Sequence, residues 1–193
     1  MNYGFIYCLG NECMPGIYKI GMTDRAPSQR CFELSSSTSA PKPFDLLCFG
    51  EVHNALSVER ELHDIFAGAR LNKSREFFSA DYREIREVFN ALSDHLCETP
   101  AGKEHSHSLE LMQTFYLAQS QDEKIKALLN AAQFSGIRLW SDQGVVRTSA
   151  RLAYTHWLTA AISGMRNALL EVLPTKQPVN HLMALVCAME KSE

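Results

Sequence analysis

A chain of 193 residues can bury one good core or two modest ones, and 46% apolar with 21% charged residues is the balance of an ordinary globular protein. A formal net charge of −3 excludes a polycation that grips nucleic acid by bulk attraction. No run approaches the roughly 18 consecutive apolar residues of a membrane span, and Met1-Asn2-Tyr3-Gly4 lacks the basic start of a signal peptide, so the expected location is the cytoplasm with no membrane partner.

The chain opens on a hairpin signature. Phe5-Ile6-Tyr7-Cys8-Leu9 is aromatic and β-branched and closes on Gly10-Asn11, while Ile17-Tyr18-Lys19-Ile20-Gly21 follows Pro15-Gly16. Thr23-Asp24 and Pro27 suit a helix entrance, and the helix expected over about 27–35 carries Arg30 beside Cys31 and Leu34. Ser35 to Pro43 is a polar loop ending in two prolines, and Phe44 to Phe49 with Glu51-Val52 reads as a third, mostly buried strand. Asn54 is placed to cap a helix from Ala55 to about Ala67, whose apolar stripe is Ala55, Val58, Leu62, Ile65 and Phe66. Glu59 lies at the edge of that stripe with His63 one turn on, and Arg60, Glu61 and Asp64 read as solvated. Glu76-Phe77-Phe78 is a short extended piece, and Asp81 caps a further helix with Ile85, Val88, Phe89 and Leu92 inward. The front half thus reads β-β-α-β-α-(β)-α.

Pro100 to His107 is short and polar and carries Pro and Gly, which places a front domain at 1–98, a linker at 99–107 and a second domain at 108–193. Leu109 to Phe134 and Arg147 to Leu173 are helical in pattern, with Tyr154, Leu158, Ile162, Met165, Leu169 and Val172 as the clearest stripe. Gly136 to Gly144 is a turn or short strand, and Val179 to Met189 a last helix. The predicted class is α+β, with an all-helical C-terminal domain serving dimerisation or substrate positioning; Arg147 and Arg151, one helical turn apart there, are candidates for backbone contacts. The six cysteines form no C-x-x-C pair and read as reduced core residues, and His105 and His107 as a solvated pair. Residues 1–99 hold ten Lys+Arg against fourteen Asp+Glu, so affinity of this half for a polyanion must come from a local site.

Phe5-Ile6-Tyr7, Lys19-Ile20-Gly21, Arg30 and Glu59-Arg60-Glu61-Leu62-His63, in that order, resemble the GIY-YIG nuclease superfamily. More narrowly, they are similar to its phage and bacterial branch with a Tyr-Lys-Ile-Gly second motif, in which Arg75-Glu76-Phe77-Phe78 is the later motif. The likeness covers about residues 3–90. It implies a metal-dependent endonuclease in which Tyr7 orients or deprotonates the attacking water, Arg30 neutralises the phosphate and Glu59 holds Mg²⁺ or Mn²⁺, with Lys19 and His63 assisting. The chemistry suits these types: a guanidinium is a permanently charged fork of donors for phosphate, and a lone carboxylate suits a cation that keeps most of its waters. Lys19 stands where the superfamily has a second tyrosine, and Phe5 where it has a glycine. Lys19 then binds phosphate, lowers the pKa of Tyr7 by its charge, or marks a site that has stopped cutting. The expected substrate is DNA, with RNA as the alternative, and a homodimer would form through the C-terminal helices. A second reading keeps the fold and drops the chemistry, leaving a module that binds nucleic acid or a protein partner.

Overall fold

Alternation along the first strand sets the architecture of the front unit. In the computed structural model, which describes residues 3–36, 42–149 and 156–175, β1 (Tyr3–Gly10) turns Ile6 and Cys8 to one face and Phe5, Tyr7 and Leu9 to the other. Strand β1 pairs antiparallel with β2 (Ile17–Thr23) on one side and with β3 (Asp45–His53) on the other. Two short strands complete the sheet: β4 (Phe77–Ser79) beside β2, and β5 (His95–Glu98) beside β3, giving the order β4-β2-β1-β3-β5. The fold is α+β.

Helix α1 (Pro27–Ser35) starts with Pro27 in its first turn, where the missing N–H costs nothing. Its Cys31 packs with Tyr7, Leu9 and Phe44 on the Tyr7 face of the sheet. Helix α2 (Ala55–Ile65) buries Ala55 and Leu62, and α3 (Tyr82–Leu92), capped by Asp81 accepting from the Arg83 N–H at 2.8 Å, buries Tyr82, Ile85 and Phe89. Two readings of α2 change. Asn54 precedes it in the left-handed region (φ 59°) and caps through no side-chain bond, and Ile65 is 49% exposed. The helix instead turns Glu59 and His63 toward the sheet edge, for the reason given below.

The stretch expected to be a linker, 99–107, is the start of helix α4 (Pro100–Leu117). Thr99 Oγ1 accepts from the Gly102 N–H at 3.1 Å, a helix-capping bond, and Pro100 takes the first helical position. A Cβ at Gly102 would stand 2.0 Å from the Leu47 carbonyl oxygen, so glycine is what lets this first turn lie on β3. His105 is not solvated: its Nε2 is hydrogen-bonded to the Tyr18 hydroxyl at 2.8 Å and its ring packs edge-on against Tyr82. The chain divides into two compact units between Ser108 and Leu109, inside α4.

The second unit contains α5 (Gln121–Phe134), entered through a capping box between Ser120 and Glu123, then α6 (His156–Gly164) and α7 (Arg166–Val172). It is not wholly helical: β6 (Leu139–Asp142) and β7 (Val145–Thr148) make a hairpin whose turn uses positive φ at Gln143 and Gly144. Leu128, Leu158 and Leu169 are fully buried at its centre. Arg147, expected on a helix, sits on a strand, 3.7 Å from Asp142. Arg151, Tyr154 and the helix expected over 179–189 lie outside the described residues. The five cysteines among the described residues are free thiols.

Candidate active site

The site begins as an unfinished sheet edge. Strand β4 pairs only with Ile17–Lys19, so beyond Lys19 the outward N–H and C=O groups of β2 need other partners. The Ile20 N–H donates to the Glu76 carbonyl at 3.1 Å, His63 Nε2 donates to the Ile20 carbonyl at 3.1 Å, and the Met22 N–H donates to Glu59 Oε1 at 3.0 Å. A carbonyl only accepts, so the His63 proton is on Nε2. Glu59 and His63, one turn apart on α2, thus stand in for the missing strand.

That arrangement holds Glu59 in place and desolvates it. Its carboxyl is pushed above the usual carboxylate range, first by burial and then by the charge of Glu76, against the opposing pull of His63, the Met22 N–H and Lys19. A second carboxylate therefore belongs to the cluster. Glu76 grips Lys19, whose side chain is 11% exposed, at 2.5 Å, and the Lys19 ammonium lies over the Phe77 ring.

Tyr7 faces this cluster from β1. Its register partner on β2 is Gly21, where a Cβ would lie 2.6 Å from the phenolic oxygen. The absent side chain is the space the Tyr7 ring occupies. Burial raises the Tyr7 pKa; the Arg30 guanidinium, placed to donate to its hydroxyl, pulls it down, and Glu76 and Glu59 push it further up. Arg30 reaches Glu33 only at 3.5 Å, because Arg25 takes both oxygens of Glu33 at 2.8 and 3.1 Å. Its side chain is left 36% exposed.

Tyr7, Arg30, Glu59 and Lys19 are thus brought into one electrostatic neighbourhood. Two expectations about them change. Lys19 is neutralised by Glu76, and the cation that favours the Tyr7 phenolate is Arg30. His63 is held by the Ile20 backbone and packs on Phe78 at 5.1 Å, contacts that the sequence did not anticipate. Glu76, named in the sequence only within the short extended piece and the Arg75-Glu76-Phe77-Phe78 motif and given no role there, meets Lys19 because β4 pairs with β2. Among the described residues no group of three or more His, Cys, Asp or Glu is disposed to hold a metal, so a cation here would rely on Glu59 and its own waters.

Residues 4–93 match the model of the T5orf172 domain. The matched stretch includes Tyr7, Lys19, Arg30, Glu59, His63 and Glu76. This corrects the resemblance drawn from short motifs: the matching family is T5orf172 and not the GIY-YIG superfamily, whose tyrosine at position 19 and glycine at position 5 are absent from this chain. Motifs of three residues on a hairpin recur across unrelated sheets, and only a model spanning the whole domain separates them. The T5orf172 match is compatible with a nucleic-acid-related function. No curated protein and no solved structure matches the chain. Among the described residues, no helix is long and apolar enough to cross a membrane.

Proposed function

We propose that the T5orf172-like region is a metal-assisted phosphodiesterase that cuts DNA, with Tyr7, Arg30 and Glu59 as its working groups. The observation that carries this reading is the placement of a half-exposed arginine against a buried tyrosine hydroxyl, with a desolvated carboxylate in the same field. Arg30 offers a charged fork to a phosphodiester, and its modest link to Glu33 costs little to exchange. The Tyr7 hydroxyl, kept protonated by burial, orients the attacking water through its lone pairs. Glu59 suits a divalent cation: Oε1 is fixed by Met22, and the carboxylate charge that burial and Glu76 disfavour is what a bound cation would stabilise. Such a cation, when bound, supplies Lewis-acid polarisation of a phosphoryl oxygen.

The test is nicking of supercoiled plasmid in Mg²⁺ by the full chain and by Tyr7→Phe, Arg30→Ala and Glu59→Gln. Each variant is expected to lose cutting by a hundredfold or more, on the order of what removal of one oriented group costs. Wild-type rates in all three would end the reading.

A second reading, a binding module without chemistry, is favoured by the structural bonds of Glu59 and His63 to β2 and by the neutralised Lys19. It predicts a gel shift of DNA or RNA with every substrate left intact in Mg²⁺ and in Mn²⁺.

A further inference from the structure

The face of the sheet that carries Tyr7 is only half covered. Toward Leu9 it packs with Cys31 of α1 and with Phe44, and Phe49 and Phe77 lie against that cluster. Toward the other end the same face presents Phe5 and then Tyr3, with Glu51 and His53 of β3 as their register partners. These rings touch in a row: Phe49 to Phe5 at 6.1 Å, Phe5 to Tyr3 at 5.8 Å and Tyr3 to His53 at 5.9 Å, all edge-to-face. Tyr3 is 50% exposed, and its hydroxyl donates to Glu51 Oε2 at 2.6 Å, which fixes the ring.

We infer that this aromatic row is a stacking platform for unpaired bases, continuous with the phosphate grip at Arg30, and that the substrate is a nucleic acid strand with unpaired bases at the cutting site. The inference rests on the phosphodiesterase reading and deepens it. The distribution of charge selects the occupant. Arg30 and Arg25 stand on the α1 side, and Thr23, the register partner of Phe5, leads into Arg25. The ring row is rimmed instead by Glu51 and by Asp94, the ion-pair partner of His53 at 3.5 Å. A phosphate backbone is repelled from such a rim, whereas an uncharged base is not. One nucleotide has both halves of this pattern, a phosphate for the guanidinium and a flat π-face for the rings. A closed duplex keeps its bases inside and brings phosphates toward Glu51 and Asp94 with no stacking in return. A protein segment would use the rings but not the exposed Arg30.

The experiment uses the full chain in EDTA with a fluorescent single-stranded DNA oligonucleotide and its blunt duplex. Single-strand affinity is expected to exceed duplex affinity about fivefold or more, and Tyr3→Ala and Phe5→Leu each to weaken it by roughly 5- to 100-fold with duplex affinity unchanged. Phe5→Trp is expected to keep single-strand binding. Phe5→Leu preserves apolar volume, and an unchanged melting curve confirms its fold. Equal affinity for the two forms, or single-strand binding indifferent to both Tyr3→Ala and Phe5→Leu, overturns the platform; plasmid cutting that is still lost in Arg30→Ala would then leave the phosphodiesterase reading standing. A wild-type protein that neither cuts nor binds nucleic acid overturns both.

Discussion

Lys19 and Glu76 form an ion pair at 2.5 Å in which the lysine side chain is 11% exposed and the glutamate side chain 39%. The pair joins β2 to the residue before β4, and it removes Lys19 as an available cation beside Tyr7. On the proposed reading Arg30 is then the group that meets the phosphate, since Arg25 occupies Glu33 on its behalf.

The asymmetry of that pair predicts an asymmetric mutant response. Glu76→Gln leaves the charge of a mostly buried lysine side chain without its counter-ion, at a cost of about 1–3 kcal/mol, whereas Lys19→Met leaves a more exposed glutamate that can still turn to water. Urea unfolding of the two single variants and the double variant should show Glu76→Gln as the most destabilised and Lys19→Met/Glu76→Gln as partly restored. Equal losses that simply add would show that the pair contributes nothing.

Glu59 predicts a trade of stability for function. Its folded pKa is raised, so its contribution to stability is fully present below the unfolded value of about 4.3 and is lost as pH rises through the folded value. Glu59→Gln can keep the acceptor for the Met22 N–H without the desolvated charge. In metal-free buffer the variant should unfold at higher urea than wild type at pH 7, and the gap should close toward pH 4. A less stable Glu59→Gln at pH 7 would show that the charged carboxylate is a net stabiliser.

What was legible in the sequence had a local cause. The hairpin, Pro27 opening α1 and Asp81 capping α3 each carry their signal within a few residues, and they place Tyr7, Lys19 and Arg30. What was missed depends on partners distant in sequence. Strand β5 has four residues and exists by pairing with β3. Pro100 and Gly102 read as breakers because the Leu47 carbonyl that demands glycine lies far upstream. Apolar periodicity placed Ile65 inward, but the open edge of β2 needs a donor and an acceptor, and Glu59 and His63 supply them. Lys19 read as a free charge for the same reason: Glu76 is adjacent only in space.

Gly21→Ala tests whether the Tyr7 ring depends on that vacancy. The added Cβ would meet the phenolic oxygen at 2.6 Å and the ring carbon bearing it at 2.9 Å, and Tyr7 is 1% exposed with nowhere to withdraw. Overpacking of this kind costs about 1–3 kcal/mol. Tyr7→Phe alone should leave stability within about 1 kcal/mol of wild type. Combined with Gly21→Ala, it should recover only part of the loss, because the ring carbon still clashes. A Gly21→Ala protein as stable as wild type would mean that Tyr7 has another place to go.

His105 gives the fold a pH dependence of opposite sign to that of Glu59. Burial lowers its folded pKa, opposed by Asp45 and Glu98, while the groups in contact with its ring are the Tyr18 hydroxyl and the Tyr82 ring. Burial also raises the Tyr18 pKa, so the hydroxyl bonded to His105 Nε2 keeps its own proton and offers no negative charge to an imidazolium. The unfolded chain binds the proton near 6.5 and the folded chain only below that, so stability present above about pH 6.5 is lost as pH falls through the window between the two values. The other histidines titrate as well, and the measurement is therefore a difference: urea midpoints of wild type minus those of His105→Gln, followed from pH 7.5 to 5. That difference should shrink as the solution is acidified. A constant difference would mean that protonation is tolerated in place, with the Tyr18 oxygen accepting and Glu98 holding the charge.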